Sequence, residues 1–262
     1  MEYQFSAGSI PLLVSMPHAG TDIPDDVFAS MEACAQAKAD TDWHLPELYG
    51  FLKEIGASTL AARWSRYVID LNRPPEDTNL YPGQDTTGLC PVDTFGRERL
   101  YKPGMAPDSA EVAHRLAAYW QPYHQQLRVE LDRLLARHGR VVLWEAHSIA
   151  SVVPRFFEGK LPDLNFGTAS GASCDPAMSD TVTGIAKEDG HYTMAINGRF
   201  KGGHITRFYG RPEQGVHAIQ LEMCQSTYMD ETPPFAYRPD LAAQVQPLLR
   251  RMTQAAADWA RG

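Results

Sequence analysis

Residues 141–148, VVLWEAHS, place the tightest limit on the fold. Four successive apolar residues predict a strand buried on both faces, as in the middle of a parallel sheet, with Glu145 and His147 toward its carboxyl end. Other segments supply the layers around it. Residues 9–16, SIPLLVSM, predict a second buried strand that stops at Pro17. The runs 58–60, 67–71 (YVIDL), 204–208 (HITRF) and 216–223 (VHAIQLEM) read as further strands. Helical spacing of apolar residues predicts helices over 108–137 and 239–260, interrupted or kinked at Pro122 and Pro247, and over 43–56. A further helix is expected within 27–37, whereas 151–180 reads as irregular.

Strand and helix alternate in the order of an α/β protein. No repeat or linker interrupts the chain, so residues 1–262 are expected to form a single domain with a mostly parallel or mixed sheet flanked by helices. Residues 72–107 contain six prolines and no sustained period. A connection of roughly 35 residues without regular structure is unusual in a compact domain and is often functional. It is expected to cover a site.

Charge and cysteine usage narrow the function. The net charge is −8, which disfavours a nucleic-acid partner or an anionic membrane surface. No apolar run approaches the ~20 residues of a spanning helix. The start of the chain has no basic segment and carries Glu2, so a signal peptide is not expected and the cytoplasm is the default compartment. Cys34, Cys90, Cys174 and Cys224 are widely separated, which fits neither a disulfide framework nor a cysteine-rich zinc site. Phosphate-loop, dinucleotide, nucleophile-elbow and HExxH patterns are all missing.

In open α/β sheets, active groups gather at the carboxyl ends of strands. His18, His147 and Glu222 each fall at such an end. Singly, each has an ordinary explanation as a hydrogen-bonded loop histidine or an ion-paired glutamate. Together they describe a site. Two histidines and a carboxylate are the ligands of a catalytic zinc, and a further carboxylate outside the ligand set can move protons. Asp40 and Asp42 are both available as ligands, although Asp42 could instead cap the helix predicted to follow it. Glu145 shares a strand face with His147 and suits an outer role, holding a histidine's unbound nitrogen. Asn72-Arg73 follows the predicted YVIDL strand, where Arg73 can meet an anionic substrate or an oxyanion, or simply pair with Asp70, Glu76 or Asp77 or lie at the surface. Arg199, Lys201 and Arg207 form a second basic group in NGRFKGGHITRFYG. A dicarboxylate substrate would need both groups.

The motifs SMPHAG, TDWHLPELY, SRYVIDLNRPPEDTNLYPG, LWEAHSI, NGRFKGGHITRFYG and HAIQLEMCQSTYMDE together resemble the N-formylglutamate amidohydrolase family, over nearly the whole chain. The resemblance implies a fold like that of the zinc carboxypeptidases. It also implies hydrolysis of N-formyl-L-glutamate to formate and L-glutamate in bacterial histidine degradation. By motif, His18 and His147 correspond to metal ligands, Asn72 and Arg73 to a substrate-binding pair, and Glu222 to the general base. The family of carboxypeptidases has HxxE where this chain has His18-Ala19-Gly20-Thr21, so the carboxylate ligand must come from elsewhere. Asp42 is the first choice, then Asp40 and Glu145. Zinc is the expected metal, although cobalt, manganese or iron can occupy the same ligands. Arg207, then Arg199, is expected to take a substrate carboxylate. Rival readings are a deacylase for another N-acyl acidic amino acid, a small metallo-carboxypeptidase, a metal-binding regulator without turnover, and a cysteine hydrolase using Cys224.

Overall fold

The computed structural model describes residues 2–262. Its frame is one seven-stranded sheet. The strands are β1 (Tyr3–Ser6), β2 (Leu12–Met16), β3 (Ser58–Ala62), β4 (Val141–Ile149), β5 (Leu164–Gly167), β6 (Met194–Ile196) and β7 (Val216–Cys224). Their spatial order is β1-β3-β2-β4-β7-β5-β6. β3, β2, β4 and β7 run parallel, while β1 and β5 are antiparallel to their neighbours β3 and β7, making the sheet mixed.

The helices are α1 (Asp25–Ala29), α2 (Leu45–Leu48), α3 (Leu52–Ile55), α4 (Ser109–Arg115), α5 (Gln121–His138), α6 (Pro176–Asp189), α7 (His204–Tyr209) and α8 (Pro239–Arg261). Alternation along β4 divides the core into two layers. Val142, Trp144 and Ala146 pack with α6 and α8 through Met178, Val182, Val245, Leu249 and Met252. Val141 and Leu143 point the other way, onto Tyr123, Leu127, Leu131 and Leu134 of α5. Each such aliphatic side chain contributes about 1.5–3 kcal/mol by leaving water. None of the helices among the described residues is long and apolar enough to cross a membrane.

Several local expectations change. YVIDL is not a strand: its backbone groups are claimed one by one. Val68 N donates to Ser65 O, Asp70 N to Leu89 O, and Arg115 Nη1 to Val68 O. Burial pushes His124 down to about 3, and its Nε2 lies 2.8 Å from Leu71 O. The run is apolar because it lies beneath α4 and α5, not because it joins the sheet. HITRF is the helix α7. Ile205 and Tyr209, four residues apart, are buried on one face. The first amides of α7 are satisfied from a distant segment, since Ile205 N donates to Asn72 Oδ1 and His204 N to Asn72 O.

The helix expected over 43–56 is instead two single turns, α2 and α3. The segment 27–37 contains α1 and a 3₁₀ turn over Ala33–Ala37. At Pro122 the long helix passes through a π turn, Leu116–Trp120, so that Pro122 enters at the start of α5, where no amide is needed. α8 runs 23 residues with Pro247 inside it, undivided. The stretch 151–180 holds β5 and the beginning of α6.

Candidate active site

The nine-residue pairing of β4 with β7 sets the site. It aligns His147 with Glu222 and Glu145 with Gln220. Pairing of β2 with β4 sets Ser15 beside Glu145, so the chain leaving β2 carries His18 to the same end of the sheet. Asp42 arrives from the loop after the 3₁₀ turn, tied there by Asp42 N donating to His18 O at 3.0 Å.

Three of the expected residues converge. Asp42 Oδ2 lies 3.0 Å from His147 Nδ1 and 3.8 Å from His18 Nδ1. Donor atoms of His18, Asp42 and His147 all fall within 4.8 Å of one another, and all three side chains are buried. Asp42 does not cap α2, whose N-cap His44 has no side-chain cap bond. Asp40 is elsewhere: its Oδ2 accepts from Phe95 N at 2.9 Å, and burial pushes its carboxyl up to about 6. Glu145 stands behind the cluster, its Oε2 3.2 Å from His147 Nε2, while Asn72 Nδ2 lies 3.0 Å from the same nitrogen.

Asp70 does for His18 what Glu145 does for His147. Its Oδ1 is 2.7 Å from His18 Nε2, and its Oδ2 accepts from Arg66 Nη2 at 2.7 Å. Burial alone would raise the Asp70 carboxyl, but His18 and Arg66 hold it well below the usual carboxylate range. Burial and the Arg66 charge lower His18. Burial opposes the charged form of His147 too, yet Asp42 and Glu145 hold it well above an ordinary histidine. In both histidines Nδ1 faces Asp42 while Nε2 is held by a carboxylate. This is how metal-binding imidazoles are oriented, so the donor set fits a zinc-type ion.

Glu222 faces the cluster from β7. Burial pushes its carboxyl up to about 8, against the pull of the His147 charge. Gln220 steadies it: Gln220 Nε2 donates to Glu222 Oε2 at 3.4 Å, and Gln220 Oε1 accepts from Gly203 N at 2.8 Å. Gly203 must be glycine, because a Cβ there would lie 2.4 Å from the Asn72 side chain. Asn72 thus joins α7, Gly203 and His147.

His18, Asp70, Asn72, His147, Gln220 and Glu222 line a cleft, whereas Asp42 and Glu145 are buried and do not line it. Arg66, Arg73 and Arg199 are the cations on its walls, and Phe95, Phe156 and Phe200 supply apolar surface. Arg73 reaches only to 4.0 Å from Asp70 Oδ2. Arg207 is not on the cleft wall. Its Nε donates to Gly202 O at 2.8 Å and its guanidinium lies over the Tyr81 ring. Part of the proline-rich segment borders the cleft, through Leu80, Tyr81, Asp85, Thr86, Thr87 and Phe95. Cys224 does not line the cleft; it is buried behind the wall in an apolar cluster with Ile149, Val153 and Leu161. Its thiol donates to backbone carbonyls and burial pushes it up to about 12, so it has no activated character.

Sequence reading missed the roles of Asp70 and Arg66. The signal was present: two opposite charges four residues apart inside a buried apolar run must pair. Gln220 and the aromatic walls carried no comparable signal.

Residues 10–229 match the pattern of the N-formylglutamate amidohydrolase family. The chain is 51% identical over 255 residues to the N-formylglutamate deformylase of Pseudomonas putida, spanning 97% of this chain and 95% of that protein. It is 52% identical over 257 residues to the N-formylglutamate deformylase of Pseudomonas aeruginosa, spanning 98% and 96%. Among solved structures, the N-formylglutamate amidohydrolase from Ralstonia eutropha JMP134 superposes with a TM-score of 0.82 at 25% identity, covering 98% of this chain and 96% of that one. A protein from Agrobacterium tumefaciens shares the fold, with a TM-score of 0.75 at 21% identity, covering 99% and 96%.

Proposed function

The chain belongs to the N-formylglutamate amidohydrolase family, and from that premise we propose that it is a metal-dependent N-formylglutamate deformylase acting in histidine degradation. One observation carries the reading: the β4–β7 register sets Glu222 opposite His147, beside the His18–Asp42–His147 cluster. A purely structural metal site has no use for a free carboxylate at its mouth, which disfavours a regulator without turnover.

His18, Asp42 and His147 would hold the ion, with zinc favoured by the two-histidine, one-carboxylate donor set. When bound, the metal polarises the formyl carbonyl and makes water a better nucleophile. The chain's own residues do the rest. Glu222 removes a proton from water as its oxygen bonds to the formyl carbon. It returns that proton to the glutamate nitrogen as the C–N bond breaks. Burial raises its proton affinity, and the charge of a bound divalent ion would favour the carboxylate form that accepts the proton. Arg73 stands at the cluster end of the cleft, where it serves the developing oxyanion and the nearby α-carboxylate. Arg199, also on the cleft wall, takes the side-chain carboxylate in place of Arg207, which does not line the cleft. A formyl group offers little surface, so selectivity rests on these two guanidiniums and on the covering segment.

Two outcomes are expected. The purified protein releases formate and L-glutamate from N-formyl-L-glutamate far faster than acetate from N-acetyl-L-glutamate, followed by product analysis. Equal rates would favour a general N-acyl deacylase. Asp70→Asn weakens metal affinity by about 10–100-fold, measured by competition with a chelator, because His18 loses the carboxylate that orients it. Unchanged affinity would remove Asp70 from the support of the site.

A further inference from the structure

Tyr81 sits at the tip of the covering segment, and its contacts converge on the basic segment across the cleft. The sequence Asn79-Leu80-Tyr81-Pro82-Gly83 builds a tight turn. Tyr81 N donates to Asn79 Oδ1 at 2.8 Å, Gln84 N closes the turn onto Tyr81 O at 3.0 Å, and Gly83 takes φ +80°. The turn presents the phenol to Lys201 and Gly202. Its hydroxyl donates to Gly202 O at 2.9 Å and accepts from Lys201 N at 3.2 Å. Its ring holds two cations, with the guanidinium carbons of Arg199 and Arg207 at 5.6 and 5.2 Å from the centroid.

We propose that Tyr81 is a positioning residue that sets selectivity for an acidic side chain, latching the covering segment onto residues 199–207 and aligning Arg199 along the cleft. This deepens the deformylase reading and rests on its assignment of Arg199 to the side-chain carboxylate. Arg199 is otherwise held by its Nε, which donates to Phe156 O at 2.6 Å, and by the rings of Phe156 and Phe200. Among the described residues no protein group accepts from its Nη atoms, which leaves the outer edge of the fork for a ligand. A guanidinium binds a carboxylate through two parallel bonds only when its plane is fixed. The Tyr81 ring supplies part of that fixation. Its hydroxyl also fixes Gly202, whose carbonyl accepts from Arg207 Nε as well. Arg207 therefore serves the latch and not the substrate.

The test uses the metal-loaded enzyme with N-formyl-L-glutamate and N-formyl-L-glutamine, which differ in the charge of one end. Tyr81→Leu is expected to lower the glutamate-to-glutamine ratio of kcat/KM by about tenfold, mostly through KM for the acidic substrate. Tyr81→Phe, which keeps the ring and loses the two hydroxyl bonds, is expected to lower it about threefold. Equal losses on both substrates, or a ratio unchanged in both variants, would overturn the proposal by reducing Tyr81 to a structural lid. Calorimetric binding of glutarate separates this inference from the parent reading. Tenfold weaker glutarate binding in Tyr81→Leu, with no formate released by the unmodified enzyme, would sustain the latch and refute the deformylase. Formate release with glutarate affinity untouched by Tyr81→Leu would do the reverse.

Discussion

Glu222→Gln is expected to lower turnover of N-formyl-L-glutamate by about 10²–10⁴-fold while the protein stays folded and keeps its metal. The substitution preserves shape and removes only the capacity to take a proton. Glu222 lies on β7, fixed by strand pairing on both sides, so the amide occupies the same place. Burial disfavours the charged form of this carboxyl, so a neutral amide of the same shape suits the position. The kinetic loss should fall on kcat, with KM little changed, since the carboxylates of the substrate are held by arginines elsewhere in the cleft. A variant retaining most of its turnover with metal bound would remove Glu222 from the mechanism. The regulator and thiol readings would then need reopening.

Asp42→Ala should abolish both metal retention and activity. Asp42 is the residue that both Nδ1 atoms face, at 3.0 and 3.8 Å. Its removal leaves two imidazoles without the anionic member of the donor set. The loss should exceed the roughly 10²-fold that a supporting residue costs a metal site. Metal content per chain and turnover should fall together. Asp42→Asn gives a near-isosteric companion that separates loss of the ligand charge from misfolding. Full metal content with full turnover in either variant would move the carboxylate ligand to another residue.

Much of the site was legible because strand ends announce themselves. His18, His147 and Glu222 each follow a run of apolar residues, and β4 and β7 were correctly read as buried strands. The choice among Asp40, Asp42 and Glu145 was not settled by spacing. It depends on how the loop after residue 37 folds back toward His18, a tertiary event. YVIDL and HITRF failed for a shared reason: five residues are too few to distinguish a strand from a buried turn or a single helical turn. In each, side-chain and backbone partners from other segments decide the outcome, Arg115 and His124 for the first, Asn72 for the second. The choice between Arg199 and Arg207 likewise turned on the covering segment. Both guanidiniums lie against the Tyr81 ring, and of the two only Arg199 lines the cleft. The edge strands β1 and β6 are short and partly exposed, so they lack the apolar runs that betrayed the central ones.

This chain is expected to hydrolyse N-formyl-L-glutamate through an ion held at His18, Asp42 and His147. The most direct test follows formate and L-glutamate release by purified protein before chelation, after chelation, and after zinc is restored, with metal analysed at each stage. The account predicts turnover that disappears as the metal leaves and returns with about one zinc per chain. Undiminished turnover in protein shown to be free of metal would contradict it.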